Sequence, residues 1–126
     1  MLQALLDDLL RRQAEICIEH SFYDYLAQHL SVMPTGISRF GRTDSLAGCR
    51  FVLSIGGDGT LLDTITYVGA LQIPILGINT GRLGFLATIS PDNILPAVDA
   101  LFKDHFGPDD RTLLRFHPDP DPSAPP

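Results

Sequence analysis

The chain has 126 residues, a length typical of one domain, and 44% of them are hydrophobic, which is enough to build a core. Its formal net charge of −6 argues against nucleic acid and anionic membrane surfaces as partners, because both repel an acidic protein. The sequence has no apolar run of about 20 residues, the length of a membrane span, and no secretion signal opens it, so we expect a cytoplasmic location.

The cysteines and histidines show no metal-binding pattern. Cys17 and Cys49 stand far apart without a second cysteine nearby, which gives little support for a zinc or redox site. Both lie in apolar surroundings, and we expect them to be buried free thiols. The histidines also lack the spacing of metal ligands: His20, His29, His105 and His117. We therefore predict no metal-ligating cluster of these residues.

The first third of the chain predicts two helices around a short strand, followed by an irregular segment. In residues 2–12, the apolar positions form one helical face. Residues 14–18 alternate like a strand, and residues 20–30 resemble a second helix whose aromatic side chains we expect in the core and at its rim. Residues 31–48 contain Pro34 and three glycines, so we predict a loop there.

The stretch around which the chain is organised follows. An apolar run at residues 51–55 ends at Gly56-Gly57-Asp58-Gly59-Thr60, and apolar residues then recur at helical spacing. This pattern predicts a buried strand, a glycine loop and a helix over residues 60–68, closed by Gly69 in a left-handed conformation. Glycine allows close approach of a ligand, and a helix N-terminus offers N–H groups to an anion. We therefore favour a phosphate-facing turn over a plain βα turn with an acidic cap.

A carboxylate in such a turn needs a specific role, because it repels an anionic ligand. Asp58 lies where phosphates would lie. It could accept the proton of a hydroxyl group or hold Mg²⁺, and the sequence leaves both roles open.

A second apolar run, residues 73–78, completes a βαβ unit with a right-handed crossover and a parallel sheet buried on both faces. Ligands of such sheets bind beyond the carboxyl ends of the strands. Asp58 and Asn79 both follow strand ends, so we expect their loops to flank one crevice. The next glycine-bracketed turn, residues 81–85, is either a hinge or a wall of a nucleotide pocket, with Phe85 offering an apolar face to a base.

The last third predicts a helix, a strand and a tail. Ser90-Pro91-Asp92 is a typical helix start, although Pro96 favours a start nearer Asn93, and we expect this helix to reach about His105. Residues 111–116 resemble a strand. Five prolines in residues 117–126 predict a disordered or polyproline-like tail. We therefore expect one α/β domain over residues 1–116 and a tail over residues 117–126.

Two stretches resemble the NAD kinase family. Gly56-Gly57-Asp58-Gly59-Thr60 resembles a signature shared by NAD kinases, diacylglycerol and sphingosine kinases and, with Ser for Thr, phosphofructokinases. The stretch Ile73-Pro74-Ile75-Leu76-Gly77-Ile78-Asn79-Thr80-Gly81-Arg82-Leu83-Gly84-Phe85-Leu86 resembles the second signature of NAD kinases, at about the separation seen in that family. The similarity runs from about Asp44 to Leu114.

The resemblance implies a fold and a reaction. NAD kinases transfer the γ-phosphate of ATP to the 2′-hydroxyl of the adenosine ribose of NAD, giving NADP, assisted by Mg²⁺ or another divalent cation. Their N-terminal α/β domain is followed by a β-rich domain, and subunits form homo-oligomers. For this chain the resemblance implies a three-layer, Rossmann-like parallel sheet with helices on both faces, without the C-terminal domain, and NAD and ATP as substrates.

The resemblance also implies the site residues. By position, Asp58 matches the proposed general base. The residues implied at the nucleotide phosphates and pocket are Gly56, Gly57, Asp58, Gly59, Thr60, Asn79, Thr80, Gly81, Phe85 and Leu86. Position 63 is often basic in the family but is Asp63 here, which we interpret as a solvated helix residue.

Three functions are open at this point. The favoured one is NAD kinase, with little activity from this chain alone, because a site between two domains cannot close when one is absent. An alternative is a non-catalytic nucleotide-binding or subunit-pairing module derived from an NAD kinase. A lipid kinase of the diacylglycerol type shares the first motif, but residues 79–85 and the lack of a basic membrane-facing surface argue against it.

Overall fold

A computed structural model describes residues 1–81, 84, 86–87 and 89–105. These residues form an α/β structure with parallel strands. The helices and strands are, in chain order, α1 (Leu2–Arg11), β1 (Cys17–Glu19), α2 (His20–His29), β2 (Ser38–Phe40), β3 (Val52–Gly56), α3 (Asp58–Val68), β4 (Ile75–Asn79) and α4 (Ile94–Phe102). None of the described helices is long and apolar enough to cross a membrane.

The βαβ unit predicted at the centre of the chain is present. Strands β3 and β4 are parallel neighbours, with Val52 opposite Ile75 and Gly56 opposite Asn79, and α3 connects them. On its other edge β4 forms one parallel bridge, between Ile78 and Ile89. The chain therefore returns to the sheet directly after the second glycine-rich stretch.

Helices cover both faces of the β3–β4 pair. On one face, side chains of α1 and α4 pack with the sheet in a core formed by Leu5, Leu9, Ile78, Ile94 and Val98. On the other face lies α3. Its Thr64 hydroxyl is 3.0 Å from the Ser54 hydroxyl. A β-carbon added to Gly77 of β4 would lie 3.5 Å from Cδ2 of Leu61 in α3. This arrangement confirms the three-layer α/β architecture.

A second parallel pair, β1 and β2, packs against α2. Cys17 lies opposite Ser38 and Glu19 opposite Phe40. Its core consists of Leu6, Ile18 and Leu26. Helix α1 belongs to both cores, because Leu5 and Leu9 face one and Leu6 faces the other. Among the described residues, no ladder joins β1–β2 to β3–β4.

Two predictions about the strands were wrong. The segment predicted as a loop contains β2, a three-residue strand held by its pairing with β1 rather than by any local apolar pattern. The strand predicted at residues 14–18 is β1, Cys17–Glu19, and begins three residues later.

The boundaries of α3 also differ from the prediction. The helix begins at Asp58 rather than at residue 60, so the carboxylate belongs to its first turn, where the helix dipole favours a negative charge. Gly69 has the predicted positive φ, 55°, but its ψ of −129° is not left-handed helical. A 3₁₀ turn, Gly69–Leu71, follows, and Gln72 closes it in the left-handed conformation instead.

The end of the described chain follows the prediction in part. A 3₁₀ turn spans Pro91–Asn93, and α4 starts at Ile94, so Pro96 falls in the first helical turn, where proline is tolerated. The helix ends at Phe102, three residues before the predicted end. The strand predicted at residues 111–116 and the tail predicted at residues 117–126 lie outside the described residues.

An ion-pair network ties α1 to α4. Asp8 is buried, and its carboxylate accepts a 2.9 Å hydrogen bond from Arg12 and another from Arg11. Arg12 also donates to Asp99 of α4 at 3.0 Å, and Lys103 pairs with Asp99 at 2.9 Å. The hydrogen bond from Arg12, opposed by burial, holds the pKa of Asp8 below its usual value.

Candidate active site

The first loop of the site connects β3 to α3 through two glycines. Gly56 ends β3 with a φ of 155°, and a β-carbon there would lie 2.8 Å from the β-carbon of Thr60. Glycine is therefore required at position 56 by both conformation and space. Gly57 caps α3 in an extended conformation, with a φ of −116°, which other residues also adopt.

The two other glycines of the motif face open space. A β-carbon on Gly57 or Gly59 would meet no atom of the described residues within 4 Å. Packing among those residues therefore gives no reason for glycine at these two positions. They leave the N-terminal turn of α3 accessible, and the first amides of a helix have no partner within the helix. A ligand could approach the backbone closely here.

The second loop begins at the end of β4 and lies beside the first. The amide of Thr80 donates a 3.0 Å hydrogen bond to the carbonyl of Gly56. Asn79 is buried, and its side-chain oxygen accepts a 2.9 Å hydrogen bond from the amide of Gly81. The two loops after β3 and β4 are thus held next to each other at the carboxyl edge of the sheet.

The carboxylate of Asp58 links α3 to the second glycine-rich stretch. Its Oδ1 accepts hydrogen bonds from the amides of Leu86, at 2.9 Å, and Ala87, at 3.0 Å. A β-carbon on Gly84 would lie 2.8 Å from Cγ of Asp58. The stretch therefore wraps closely around the carboxylate, and glycine at position 84 makes this approach possible.

The structure brings most of the predicted residues together at this edge. The residues joined by the contacts above are Gly56, Asp58, Asn79, Thr80, Gly81 and Leu86. Thr60 is exposed, but its side chain packs over the α-carbon of Gly56. Gly57 and Gly59 lie at the open face, and Phe85 lies outside the described residues. The functional roles of these residues stay predictions.

Sequence reasoning missed two supports of the site. The buried hydroxyl of Ser54 in β3 contacts the hydroxyl of Thr64 in α3. The Thr64 hydroxyl also lies 2.8 Å from the carbonyl oxygen of Thr60. This contact fixes the first turns of α3 against β3. A single serine within an apolar strand was the available signal. Ala87 carried no signal, since its contribution to Asp58 comes from the backbone.

The charged residues near α3 lie on its outer surface. Asp63 is exposed and pairs with Arg42, as expected of a solvated helix residue. Arg42 also bonds to the hydroxyl of Thr66, and its guanidinium carbon lies 4.2 Å from the centre of the Tyr67 ring. These contacts hold Arg42 against the helix surface rather than against the glycine loop.

The described residues hold no cluster of three or more His, Cys, Asp or Glu side chains suited to a metal ion. The expectation of free cysteines is confirmed, but the expectation that they are buried is wrong, because both Cys17 and Cys49 are exposed. Both border an open cavity between the two strand pairs. Burial of the thiol within that cavity nevertheless raises the pKa of Cys17, with smaller contributions from Cys49 and Asp44.

Comparison with known proteins assigns the family. The family model described as the ATP-NAD kinase N-terminal domain matches residues 3–106, which include both glycine-rich stretches. The chain belongs to the NAD kinase family. An NAD kinase of Cytophaga hutchinsonii is 40% identical over 114 residues, which are 90% of this chain and 39% of that protein.

Other NAD kinases cover this chain to a similar extent. One from Bacteroides fragilis is 39% identical over 103 residues, covering 82% of this chain and 35% of its own length. One from Methanothermobacter thermautotrophicus is 35% identical over 117 residues, which are 92% of this chain and 38% of that protein. The chain therefore spans less than two fifths of the length of these NAD kinases.

Proposed function

We propose that this chain forms the phosphate-facing part of an NAD kinase site, in which the γ-phosphoryl group of ATP is transferred to the 2′-hydroxyl of the adenosine ribose of NAD. The observation that carries the proposal is the position of Asp58. Its carboxylate lies at the N-terminus of α3, beside the open faces of Gly57 and Gly59, and contacts the second glycine-rich stretch. The relatives are NAD kinases, and the family resemblance supplies the details of the reaction.

Asp58 is proposed as the general base. A ribose hydroxyl must lose its proton as it attacks the phosphoryl group, and a positioned carboxylate can accept that proton. The hydrogen bonds from Leu86 and Ala87 to Oδ1 fix the orientation of the carboxylate. Positioning supplies much of the rate in phosphoryl transfer, so a fixed base supports the proposal.

The phosphates are proposed to lie against the first turn of α3. The amides of this turn and the positive end of the helix dipole attract an anion. Glycine at positions 57 and 59 lets phosphate oxygens approach the backbone, since a β-carbon there would occupy the open face. Asn79, Thr80 and Gly81 border the same edge, and Leu86 and Phe85 are proposed for the adenosine pocket.

A divalent cation fits this arrangement only together with the nucleotide. Among the described residues, Asp58 is the carboxylate at the glycine loops, and no cluster of three or more His, Cys, Asp or Glu side chains forms there. Mg²⁺ commonly binds through one or two carboxylates and the substrate phosphates, and it supplies neutralisation of phosphate charge. Asp58 is the residue that could contribute to its binding.

The remaining length of the relatives is proposed to complete the site. Because the chain spans 39% or less of the NAD kinases compared above, we expect little turnover from it alone. The same coverage favours a second candidate, a module that binds nucleotide without catalysis. A homo-oligomer, a cytoplasmic location and ATP as phosphate donor complete the proposal.

A chimera tests the catalytic proposal directly. Residues 1–105 replace the matching region of the Cytophaga hutchinsonii NAD kinase, and NADP formation from NAD, ATP and Mg²⁺ is measured beside the 126-residue chain alone. We expect the chimera to be active and Asp58→Asn to lower its kcat about 100-fold or more. Asp63→Asn is the matched control, because Asp63 is an exposed carboxylate of the same helix.

Two results would contradict the proposal. Equal kcat values for the chimera and its Asp58→Asn variant would show that Asp58 is not the general base. A folded chimera that binds NAD and ATP but forms no NADP would favour the non-catalytic module.

A further inference from the structure

The chain has two cysteines, and both border the same cavity. This cavity has a volume of about 720 Å³ and lies between the two strand pairs. Cys17 borders it as the first residue of β1, and Cys49 borders it from the segment that leads into β3. Both cysteines are exposed and have free thiols. The fold therefore brings to one opening two thiols that are far apart in sequence.

The strands next to these cysteines run in the same direction. The first residue of β1 borders the 720 Å³ cavity together with Val52, the first residue of β3. Glu19, the last residue of β1, borders a second cavity of about 420 Å³ together with Thr60, which follows the end of β3. Cys17 and Cys49 thus lie at the amino edge of the strands, whereas the glycine loops lie at the carboxyl edge.

The segment that carries Cys49 is short and is anchored at both ends. Leu46 is buried, and its carbonyl accepts a 3.0 Å hydrogen bond from the amide of Cys49. The amide of Val52 donates a 2.9 Å hydrogen bond to the carbonyl of Pro74. Between these anchors, a β-carbon on Gly48 would meet no atom of the described residues within 4 Å. The backbone beside Cys49 can therefore move without displacing any of these residues.

The two thiols are also close enough to interact electrostatically. Burial is the main cause that raises the pKa of Cys17, and the negative charges of Cys49 and Asp44 raise it further. Exposed charges that are separated by more than about 8–10 Å are largely screened by salt. The influence of Cys49 therefore agrees with the shared cavity in making the two thiols near neighbours.

We propose that Cys17 and Cys49 form a reversible intramolecular disulfide, so that the amino edge of the strands is a thiol-oxidation site. The bond joins β1 to the segment that precedes β3. Its oxidant is a small-molecule disulfide such as oxidised glutathione, and a thiol reductant removes it. The proposal does not rest on the kinase reaction, because neither cysteine belongs to the glycine loops.

The bond forms by two thiol–disulfide exchanges. The Cys49 thiolate attacks one sulfur of oxidised glutathione, which gives a mixed disulfide and one glutathione thiolate. The Cys17 thiolate then attacks the Cys49 sulfur and displaces the second glutathione thiolate. The protons of the two cysteine thiols pass to the two glutathione thiolates. The chain is thereby oxidised by two electrons, and one oxidised glutathione is reduced to two thiols.

The order of the two attacks follows from the environment of Cys17. Its raised pKa leaves little thiolate at neutral pH, which slows its reaction with a free disulfide. In the second exchange, the disulfide is held on the neighbouring Cys49, and this high effective concentration compensates for the scarce thiolate. Cys49 should therefore carry the mixed disulfide.

Mass spectrometry of the 126-residue chain tests the proposal. The reduced chain is treated with oxidised glutathione at low protein concentration, and disulfide-linked peptides are mapped by proteolysis. We expect a monomer that has lost two hydrogen atoms and contains a Cys17–Cys49 peptide pair, and dithiothreitol should reverse both changes. Cys17→Ser should instead stop at one glutathione on Cys49.

A matched control moves one thiol to the neighbouring strand. Ser38 lies opposite Cys17 in register and borders the same cavity. The double variant Cys17→Ser with Ser38→Cys keeps the number of thiols but takes one of them from β1 to β2. We expect internal disulfide formation to be at least about tenfold slower in this variant, because the tether to Cys49 then gives a lower effective concentration.

Chemical denaturation provides a second measurement. A disulfide that closes a loop of about 30 residues restricts the unfolded chain, so the urea midpoint of the oxidised chain should rise by about 1 M. Cys49→Ser should abolish this rise. The amide resonances of Gly57 and Gly59 should not shift on oxidation, because the bond lies at the opposite edge of the strands.

Three results would overturn the proposal. The first is glutathione on both cysteines without a Cys17–Cys49 link. The second is a disulfide-linked dimer in place of the internal bond, which would assign the thiols to contacts between chains. The third is internal oxidation of the Ser38→Cys control at an equal rate. None of these measurements requires turnover, so each result leaves the proposed kinase function unchanged.

Discussion

Gly84 lies so close to Asp58 that a β-carbon at position 84 would come within 2.5 Å of Oδ1 and 2.8 Å of Cγ. The two residues are 26 positions apart in sequence, yet the backbone at one fits around the carboxylate of the other. The contact explains why a glycine stands at this point of the second stretch. It also gives the first prediction.

Gly84→Ala should displace the second stretch from Asp58. We expect the amide resonances of Leu86 and Ala87 to shift, because their hydrogen bonds to Oδ1 are lost or lengthened. Overpacking of this kind costs about 1–3 kcal/mol in the free energy of unfolding, which urea titration measures. Gly81→Ala is the control, since a β-carbon there meets no atom of the described residues within 4 Å. Equal stability of the two variants would contradict the contact.

Gly59→Ala separates folding from ligand binding. Residue 59 lies in the first turn of α3, and a β-carbon there meets none of the described atoms within 4 Å, so alanine should raise the free energy of unfolding by up to about 1 kcal/mol. The same methyl group should obstruct phosphates at the helix N-terminus and raise the KM for ATP of the chimera about tenfold. Urea titration and steady-state kinetics check the two effects. An unchanged KM would place the phosphates elsewhere.

Ser54 and Thr64 should be energetically coupled. Their hydroxyls lie 3.0 Å apart, and Ser54 is buried, so either alanine variant leaves a polar group without this partner. A double-mutant cycle of Ser54→Ala and Thr64→Ala should give a coupling free energy of about 0.5–1.5 kcal/mol. Additive effects of the two substitutions would show that the hydroxyls do not stabilise one another.

Asp8 should make stability depend on acid pH. Its pKa is lowered in the folded chain, so its ion pairs stabilise fully above the unfolded pKa of about 3.9, and this contribution is lost as the pH falls through the folded value. Asp8→Asn should cost about 1–2 kcal/mol at pH 7, and the difference from the unmodified chain should shrink below about pH 4. Thermal unfolding at several pH values measures this.

Asp7→Asn is the matched control for Asp8. Asp7 lies one position earlier in α1 and accepts an exposed hydrogen bond from the side-chain amide of Gln3. Its substitution should change stability by less than about 0.5 kcal/mol. A larger loss from Asp7→Asn than from Asp8→Asn would refute the assigned roles.

The central unit was predictable because its signals are local. Continuous apolar runs at β3 and β4 and helical spacing between them specify two buried strands and a crossover helix, and this topology places both glycine loops at one edge. The start of α3 at Asp58 was missed because glycine has a low helix propensity. Contacts of Asp58 with the second stretch compensate for it.

The remaining differences depend on long-range contacts. The strand β2 is Ser-Arg-Phe and has no apolar alternation, so only its pairing with β1 defines it. The exposure of Cys17 likewise depends on the cavity between the two strand pairs, which no local pattern reveals. The bonds from Leu86 and Ala87 to Asp58 are made by backbone groups, which leave no trace in side-chain chemistry.

The ion pair between Arg12 and Asp99 bridges 87 positions of the chain, whereas β3, α3 and β4 are continuous in sequence. During synthesis, the glycine loops and Asp58 can therefore take their positions before α4 has been made, while the helical layer containing α1 closes only afterwards. We expect nascent chains ending near residue 90 to protect β3 and β4 from proteolysis but to leave α1 susceptible. We therefore expect the edge that carries the glycine loops to fold early, and α4 to complete the helical layer that packs behind it.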